Sequence, residues 1–223
     1  MTTSTTAPAV ATRASRTPGV LCAIAGVAFI ALGILGMFQS PEAHPALGLA
    51  DPWMAVTAVA IVLSGLGIWA AGRVGDVTGT VLGRVGLGAA LLGTAVFTMA
   101  HLVAALVPGA DDTPLFPLGE VVAAVGMIVL GVAVVRRGHW DGVGRYTPLV
   151  CGLYPFVILM PAFAIFGEPN FPAIAGFGIP WILLGLAVAT PWPSAVDSTG
   201  PEPLVTRRWP HLWWTSSLHI NAV

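Results

Sequence analysis

The chain contains no lysine, only two cysteines and few charged residues of any kind. Charged side chains make up 9% of its 223 residues, and the formal net charge is −1. A soluble domain carries about 25% charged residues, so this composition cannot cover the surface of an ordinary water-soluble globule. A net charge near zero also provides no broad basic field for nucleic acid, and we expect no nucleic-acid partner.

Motifs that identify common reactions are absent as well. Without lysine there is no Gly-x-x-x-x-Gly-Lys-Ser/Thr phosphate loop, and His-Glu-x-x-His, Cys-x-x-Cys and Gly-x-Ser-x-Gly do not occur. The two cysteines, Cys22 and Cys151, form neither a disulfide framework nor a zinc site by their spacing. We therefore expect no metal and no cofactor, and catalytic residues stay unknown.

Hydrophobic residues are abundant instead, at 56% of the chain. They form six continuously apolar runs of about 20 residues, the length with which a helix crosses about 30 Å of hydrocarbon. A membrane β-barrel would alternate apolar and polar residues. The sequence therefore predicts an all-α, polytopic membrane protein, a six-transmembrane-helix bundle. Its helices are expected over residues 19–38, 53–71, 85–107, 118–135, 148–166 and 172–190.

Arginine placement predicts the orientation of this bundle. All nine arginines fall on one side of a six-helix threading, and the other side carries six of the ten acids. The positive-inside rule assigns the arginine side to the cytoplasm, so both termini are expected to be cytoplasmic. The use of arginine alone, with much alanine, glycine and valine, favours a bacterial source and hence the plasma membrane as the location.

The first apolar run has an alternative interpretation. Arg13 and Arg16 precede it and small residues follow it near Ala43, as in a signal peptide. The run of about 20 residues is longer than a usual signal-peptide core of about 7–15 residues. Cleavage would also leave five helices, so we keep six.

The two ends of the chain differ in composition from the middle. Residues 1–18 are rich in Thr, Ser and Ala and predict a disordered cytoplasmic tail. Residues 19–190 form the transmembrane domain. Residues 191–223 form a tail rich in Pro and Trp, and Arg207 and Arg208 with nearby tryptophans favour the membrane interface. The expected partners are the lipid bilayer and a further copy of the chain or another membrane protein.

Small residues and prolines predict how the helices pack. Lipid tails are as apolar as Leu, so helices associate where small residues permit close approach, and the chain has 27 glycines. Gly65-x-Gly67 and Gly86-x-Gly88 resemble pieces of a nucleotide fingerprint, but no strand precedes them, so packing is the better interpretation. Prolines at 155, 161 and 180 predict bends in the last two helices.

Two helix starts carry recognisable caps. Asp51 precedes Pro52, the arrangement of an N-cap residue followed by proline in the first turn. Asn170 and Pro172 repeat this pattern before the last helix. We expect both side chains to cap the helices that follow them.

Polar side chains inside the apolar runs define the candidate site. Thr94, Thr98 and His101 are spaced to lie on one stripe of the third helix. His101 is either a functional group or a neutral histidine that is hydrogen-bonded within its surroundings. Glu120 is either a carboxylate that the helix dipole stabilises in the first turn of its helix or a member of the site. If they are within reach, they could relay a proton. The candidate intramembrane polar site comprises His101, Glu120, Thr98, Thr94, Thr57 and Tyr154.

Three classes of function remain open. A non-enzymatic membrane or partner-binding component, the leading hypothesis, predicts a dry bundle with His101 satisfied locally. A small transporter or permeation subunit predicts a watery path in the outer leaflet along Thr57, Thr94, Thr98, His101 and Glu120. A membrane-embedded enzyme on an apolar, isoprenoid-like substrate predicts a pocket in which Trp181, Phe177 and Tyr154 lie near an acid.

Overall fold

The computed structural model describes residues 9–38, 51–110, 113–137, 140, 142–166 and 170–190, with the backbone alone for 9–15. All regular structure in these ranges is helical, and six spans are long and apolar enough to cross a membrane. The predicted all-α class and the number of spans are therefore confirmed. The first four spans are α1 (Ala9–Gly36), α2 (Pro52–Val74), α3 (Val81–Leu106) and α4 (Leu115–Arg137).

The fifth span, Gly142–Phe166, is composite, and the sixth is a single helix. The elements of these two spans are a 3₁₀ helix (Gly142–Tyr146), α5 (Thr147–Tyr154), a π-helical segment (Pro155–Leu159), α6 (Met160–Phe166) and α7 (Phe171–Ala189). A further 3₁₀ turn, Val77–Gly79, joins α2 to α3.

The start of α1 differs from the expectation. It lies at Ala9 rather than Gly19, inside the segment 1–18 for which we predicted a disordered tail. Alanine and arginine, which dominate this stretch, are strong helix formers, so the helix continues through Pro18 toward the N-terminus. Residues 1–8 and the predicted tail 191–223 lie outside the described residues.

Both predicted caps are confirmed. Asp51 is the N-cap of α2, and its Oδ1 accepts hydrogen bonds from the backbone N–H groups of Trp53 at 2.8 Å and Met54 at 3.3 Å. Asn170 is the N-cap of α7, and its Oδ1 accepts from the N–H of Ala173 at 3.0 Å. These side chains satisfy backbone donors that the first turn of a helix leaves without partners.

The six spans form a closed ring. Each span packs against the next one along the chain, from α1 to α4, then α5, then α7, and α7 returns to pack against α1. Spans that follow each other along the chain are antiparallel, and so are α7 and α1. Residues near the start of one helix contact residues near the end of the other. The interior of the ring is therefore bounded by all six spans.

Glycines bring three helix pairs of this ring into backbone contact. Between α1 and α7, Gly26 and Gly178 each face the other's carbonyl, and a Cβ at Gly33 would overlap the backbone of Ala175. Between α3 and α4, the same close approach is made at Gly86, Gly93, Gly119 and Gly126.

The third pair is α4 with the fifth span, where a Cβ at Gly131 would overlap the backbone of Leu149 and a Cβ at Gly152 the backbone of Ala124 and Ile128. The packing interpretation is confirmed at these glycines and is wrong for Gly88, where no atom lies within 4 Å of a Cβ built there. We call the first two contacts the α1–α7 seam and the α3–α4 seam.

Proline distorts the fifth span, as its sequence predicted. Pro155 has no N–H to donate to the carbonyl of Cys151, four residues earlier. The π-helical segment begins at this residue, and the N–H of Met160 donates to the carbonyl of Pro155, five residues back. The distortion lies at the middle of the span, where it changes the face that the span turns toward the ring.

The antiparallel spans gather the described arginines at one end of the bundle. We call this the arginine end; it is defined by Arg16, Arg73, Arg84, Arg136, Arg137 and Arg145. Asp76, in the turn between α2 and α3, is the acid described there. Asp51 and Glu120 lie toward the opposite end.

Candidate functional site: a central cavity

A cavity of about 40 Å³ lies at the centre of the ring. Every span contributes to its wall, mostly with residues near the middle of the span. The lining residues are Phe29, Ile61, Ser64, Ile68, Thr94, Phe97, Glu120, Ala123, Ala124, Met127, Pro155, Phe177 and Trp181. A cavity that holds one water needs about 10–15 Å³, so this one has room for a few water-sized groups.

Glu120 is the one acid among the residues that line the cavity. The sequence placed it in the first turn of its helix, and this prediction is wrong, because Leu115, Phe116 and Pro117 belong to α4 as well. Glu120 is thus in the second turn, about 8 Å along the axis from Leu115 at 1.5 Å per residue. Its partly exposed side chain belongs to the cavity wall rather than to the helix terminus.

Two hydroxyl residues, Ser64 and Thr94, also line the cavity. Ser64 Oγ donates to the carbonyl of Ala60 at 2.9 Å, and Thr94 Oγ1 donates to that of Ala90 at 2.7 Å. Each bond runs four residues back along its own helix, a common way for Ser and Thr to be satisfied inside a helix. These hydroxyl protons are therefore used by the fold.

The other two threonines of the candidate site are satisfied in the same way. Thr57 Oγ1 donates to the carbonyl of Trp53 at 2.9 Å, and Thr98 Oγ1 donates to that of Thr94 at 2.8 Å. Neither side chain lines the central cavity. Of the five residues proposed for a watery path, the cavity wall contains Thr94 and Glu120.

His101 is buried outside the cavity wall, with 6% of its surface exposed. Its Nδ1 lies 2.8 Å from the carbonyl of Phe97, and a carbonyl can only accept, so Nδ1 donates. The rings of Phe97 and Phe116 meet the imidazole edge to face, with centroids 4.5 and 4.7 Å away. Asp51 is the charged residue near enough to act on it electrostatically. This environment is the locally satisfied histidine of the leading hypothesis.

Tyr154 connects the fifth and sixth spans. Its hydroxyl donates to the carbonyl of Ala173 at 3.0 Å, and its ring packs against Phe177 with centroids 5.6 Å apart. Phe177 also contacts the rings of Phe29 at 5.4 Å and Trp181 at 5.8 Å. These four residues form an aromatic cluster beside the cavity, and Tyr154 reaches the cavity through Phe177.

Trp181 combines a buried ring with an unsatisfied donor. It is 7% exposed, it lines the cavity, and its Nε1–H has no hydrogen-bond partner in the described part of the chain. A buried unpaired donor of this kind costs about 1–3 kcal/mol. The acid and the aromatics named for the enzyme hypothesis therefore converge, because Glu120, Phe177 and Trp181 share one cavity.

Sequence reasoning did not include several wall residues in the site. Phe29, Ile61, Met127 and Pro155 are apolar, and apolar residues within an apolar run carry no mark of facing inward. One signal was present, since Phe177 and Trp181 are four residues apart and so share a helical face. The glycines give a second signal, because the seams fix which face of each helix points into the ring.

The site holds no arrangement for a bound metal. Within the described ranges, no three His, Cys, Asp or Glu side chains lie together as a metal-binding group. No protein family matches the chain, and comparisons with curated proteins and with solved structures found no match.

Proposed function

We propose that this chain is a multi-pass protein of the bacterial plasma membrane, with six crossings and both termini in the cytoplasm. The arginines with described side chains lie at one end of the ring, and the positive-inside rule assigns that end to the cytoplasm. Exposed apolar side chains on every span, such as Leu92 at 63% and Val157 at 65%, suit contact with lipid.

Labelling from outside intact cells tests this topology. Thr78, exposed in the turn between α2 and α3, and Ala110, beyond α3, lie at opposite ends of the bundle. We expect Ala110→Cys to react with an impermeant thiol reagent in intact cells, and Thr78→Cys to react only after permeabilisation. The native cysteines are buried and serve as the background. Labelling of Thr78→Cys from outside would reverse the proposed orientation.

Within the membrane, we propose a non-enzymatic role as a component that binds lipid and protein partners, a second copy included. One observation carries this: four of the six polar side chains of the candidate site are bonded within their own helices. Thr57, Thr94, Thr98 and His101 each donate to a carbonyl four residues earlier. Side chains bound in this way support the fold and leave no hydroxyl or Nδ1 proton for transport.

Reconstitution separates this role from that of a transporter. Liposomes containing the purified protein should dissipate an imposed pH gradient no faster than empty liposomes. His101→Ala should insert normally and leave this leak unchanged. Proton flux that the wild type carries and His101→Ala abolishes would establish the transporter alternative instead.

The convergence of Glu120, Phe177 and Trp181 on one cavity favours a second candidate, an enzyme or binding protein for an apolar molecule. The carboxyl group would donate a proton and the rings would stabilise a cationic intermediate. A cavity that binds benzene has about 150 Å³, against about 40 Å³ here, so an isoprenoid would need the wall to open.

Ligand binding tests this candidate. A five-carbon alkenol should quench tryptophan fluorescence, and Trp181→Phe should remove most of that change. Conversion of a prenyl substrate that Glu120→Gln abolishes would establish an enzyme. If the alkenol does not quench fluorescence and no prenyl substrate is converted, this candidate is rejected and the non-enzymatic role stands.

A further inference from the structure

The arginine end carries a strong excess of positive charge on the described residues. Six arginines and one acid, Asp76, give a balance of six minus one, or +5. Each arginine near a membrane surface attracts anionic lipid by about 1 kcal/mol, which equals about a fivefold gain in affinity. This field attracts phosphate groups to the end of the bundle, and two arginines carry features that make them specific contacts.

Arg137 is the first of these arginines. It ends α4 and is partly buried, with 28% of its side chain exposed, and among the described acids Asp76 forms an ion pair with it at 3.8 Å. That separation is an ion-pair contact longer than a hydrogen bond. The Nε–H of Arg137 is buried and has no hydrogen-bond partner among the described residues, so a ligand can reach the two Nη groups only. These two groups can pair with phosphate through two parallel hydrogen bonds.

Arg145 is the second, on the 3₁₀ helix that opens the fifth span. Its Nη2 donates to the hydroxyl of Tyr146 at 2.7 Å, and the Tyr146 ring lies 4.7 Å from the guanidinium carbon. The Nε–H of Arg145 is buried and also lacks a hydrogen-bond partner in the described part of the chain, so Nη1 is the nitrogen left for a ligand. Tyr146 thus orients the guanidinium and occupies one of its five donors.

The surroundings of these arginines favour a lipid over a soluble anion. Val143, two residues before Arg145, is 85% exposed, and Tyr146 is 39% exposed. Elsewhere at the arginine end, in α2, Trp69 lies beneath the guanidinium of Arg73 at 5.2 Å, as aromatic residues do at the level of lipid headgroups. Guanidinium groups beside exposed apolar side chains match a molecule with an anionic head and an acyl chain.

The 3₁₀ helix that carries Arg145 packs against α4, the helix that ends at Arg137. We propose that Arg137 and Arg145 bind the phosphate of an anionic phospholipid at the arginine end, with Tyr146 as the residue that positions Arg145. This proposal rests on the proposed membrane location, because the lipid is drawn from the leaflet that contacts the bundle. It does not depend on which side of the membrane that leaflet faces.

Lipid titration of the purified full-length protein tests the proposal, with binding read by native mass spectrometry and by thermal stability. The probes are phosphatidylglycerol, phosphatidylcholine and inorganic phosphate. We expect phosphatidylglycerol to bind and stabilise the wild type, and the Arg137→Gln, Arg145→Gln double variant to bind it about tenfold more weakly or worse. The control is the Arg84→Gln, Arg136→Gln double variant, which removes the same charge from exposed arginines of the same end; it should lose less than about threefold.

Each other result overturns part of the proposal. An equal loss in the control variant would show a general field and no site. Equal binding of phosphatidylcholine would remove the requirement for an anionic lipid. Competition by inorganic phosphate at the same concentration as the lipid would identify a soluble anion as the ligand.

A second variant serves if the double variant does not fold. Tyr146→Phe keeps every charge and should weaken the binding of phosphatidylglycerol about twofold, because one oriented hydrogen bond is lost. Unchanged binding would refute the positioning role. The two proposals can also fail separately. If the purified protein binds the lipid in detergent but Thr78→Cys is labelled from outside intact cells, the proposed topology is wrong and the lipid site stands.

Discussion

The α1–α7 seam and the contact between the fifth span and α7 close the same ring by opposite means. In the seam, glycines let two backbones touch over several turns, from Gly19 against Ala189 to Gly33 against Ala175. The fifth span is interrupted by a π-helical segment. In its most apolar stretch of 18 residues, 22% of the residues are buried inside the bundle, against 39–44% for the other spans. Its contacts with α7 depend on the side chains of Tyr154 and Phe177.

This difference has a physical consequence for motion. Backbone contact at glycine leaves no side chain that can rotate aside, so any displacement in the seam meets a hard clash. A side-chain contact gives way by a change of rotamer. If the central cavity opens, we expect the fifth span to separate from α7 while the helix pairs that touch at glycine stay closed.

The largest effect is expected in the seam. Gly33→Leu places a side chain where the backbone of Ala175 already lies, and we expect it to cost about 3 kcal/mol or to prevent folding. Gly88→Leu is the matched control, because no atom lies within 4 Å of a Cβ built there. Thermal unfolding in detergent measures both. Equal stability of the two variants would show that α1 and α7 do not pack through glycine.

A bulky residue where α7 meets the fifth span should do less harm. Gly176→Leu meets the Tyr154 hydroxyl, the end of a side chain that can rotate aside, so we expect a cost of about 1–2 kcal/mol. Hydrogen exchange should show faster opening confined to residues 147–166. A loss as large as that of Gly33→Leu would remove the distinction between the two regions.

The hydrogen bond from the Tyr154 hydroxyl tests how α7 holds the fifth span. Tyr154→Phe keeps the ring contact and removes the donor to the Ala173 carbonyl, so we expect a loss of about 1 kcal/mol. Tyr146→Phe serves as the control for stability, since that tyrosine is exposed. Greater destabilisation by Tyr146→Phe in chemical unfolding would mean that the fifth span is held at the arginine end.

The smallest effect is expected from the polar stripe. Thr98→Val replaces a hydroxyl that bonds within α3 and lies outside the cavity wall. We expect a change in unfolding free energy of less than about 0.5 kcal/mol. A loss above about 2 kcal/mol would show that Thr98 holds a bond between helices, contrary to its geometry.

Hydropathy and length predicted the helical class and the six spans because the bilayer imposes both on any spanning helix. Asp51, Asn170 and Pro155 also behaved as their chemistry requires, since caps and prolines act on the backbone within one turn. The start of α1 at Ala9 was not predicted, because the Thr, Ser and Ala composition of residues 1–18 conceals a helix-forming stretch.

The candidate site was predicted in part. Thr94 and Glu120 line the cavity, whereas Thr57, Thr98 and His101 lie elsewhere and bond within their own helices. Spacing along one helix gives a shared face but not the rotation of that face relative to other helices. The glycine seams fix that rotation. The sequence of one helix does not show which glycines will meet those of a neighbouring helix, because that pairing is a tertiary property.

The α1–α7 seam joins two helices that are far apart along the chain. Gly33 and Ala175 are separated by about 140 residues, which a ribosome translates in roughly 7 to 28 seconds at about 5–20 residues per second. During that time the glycine-rich face of α1 lacks the helix against which it packs. A chain truncated before α7 should therefore leave this face uncovered and be degraded faster than the full chain.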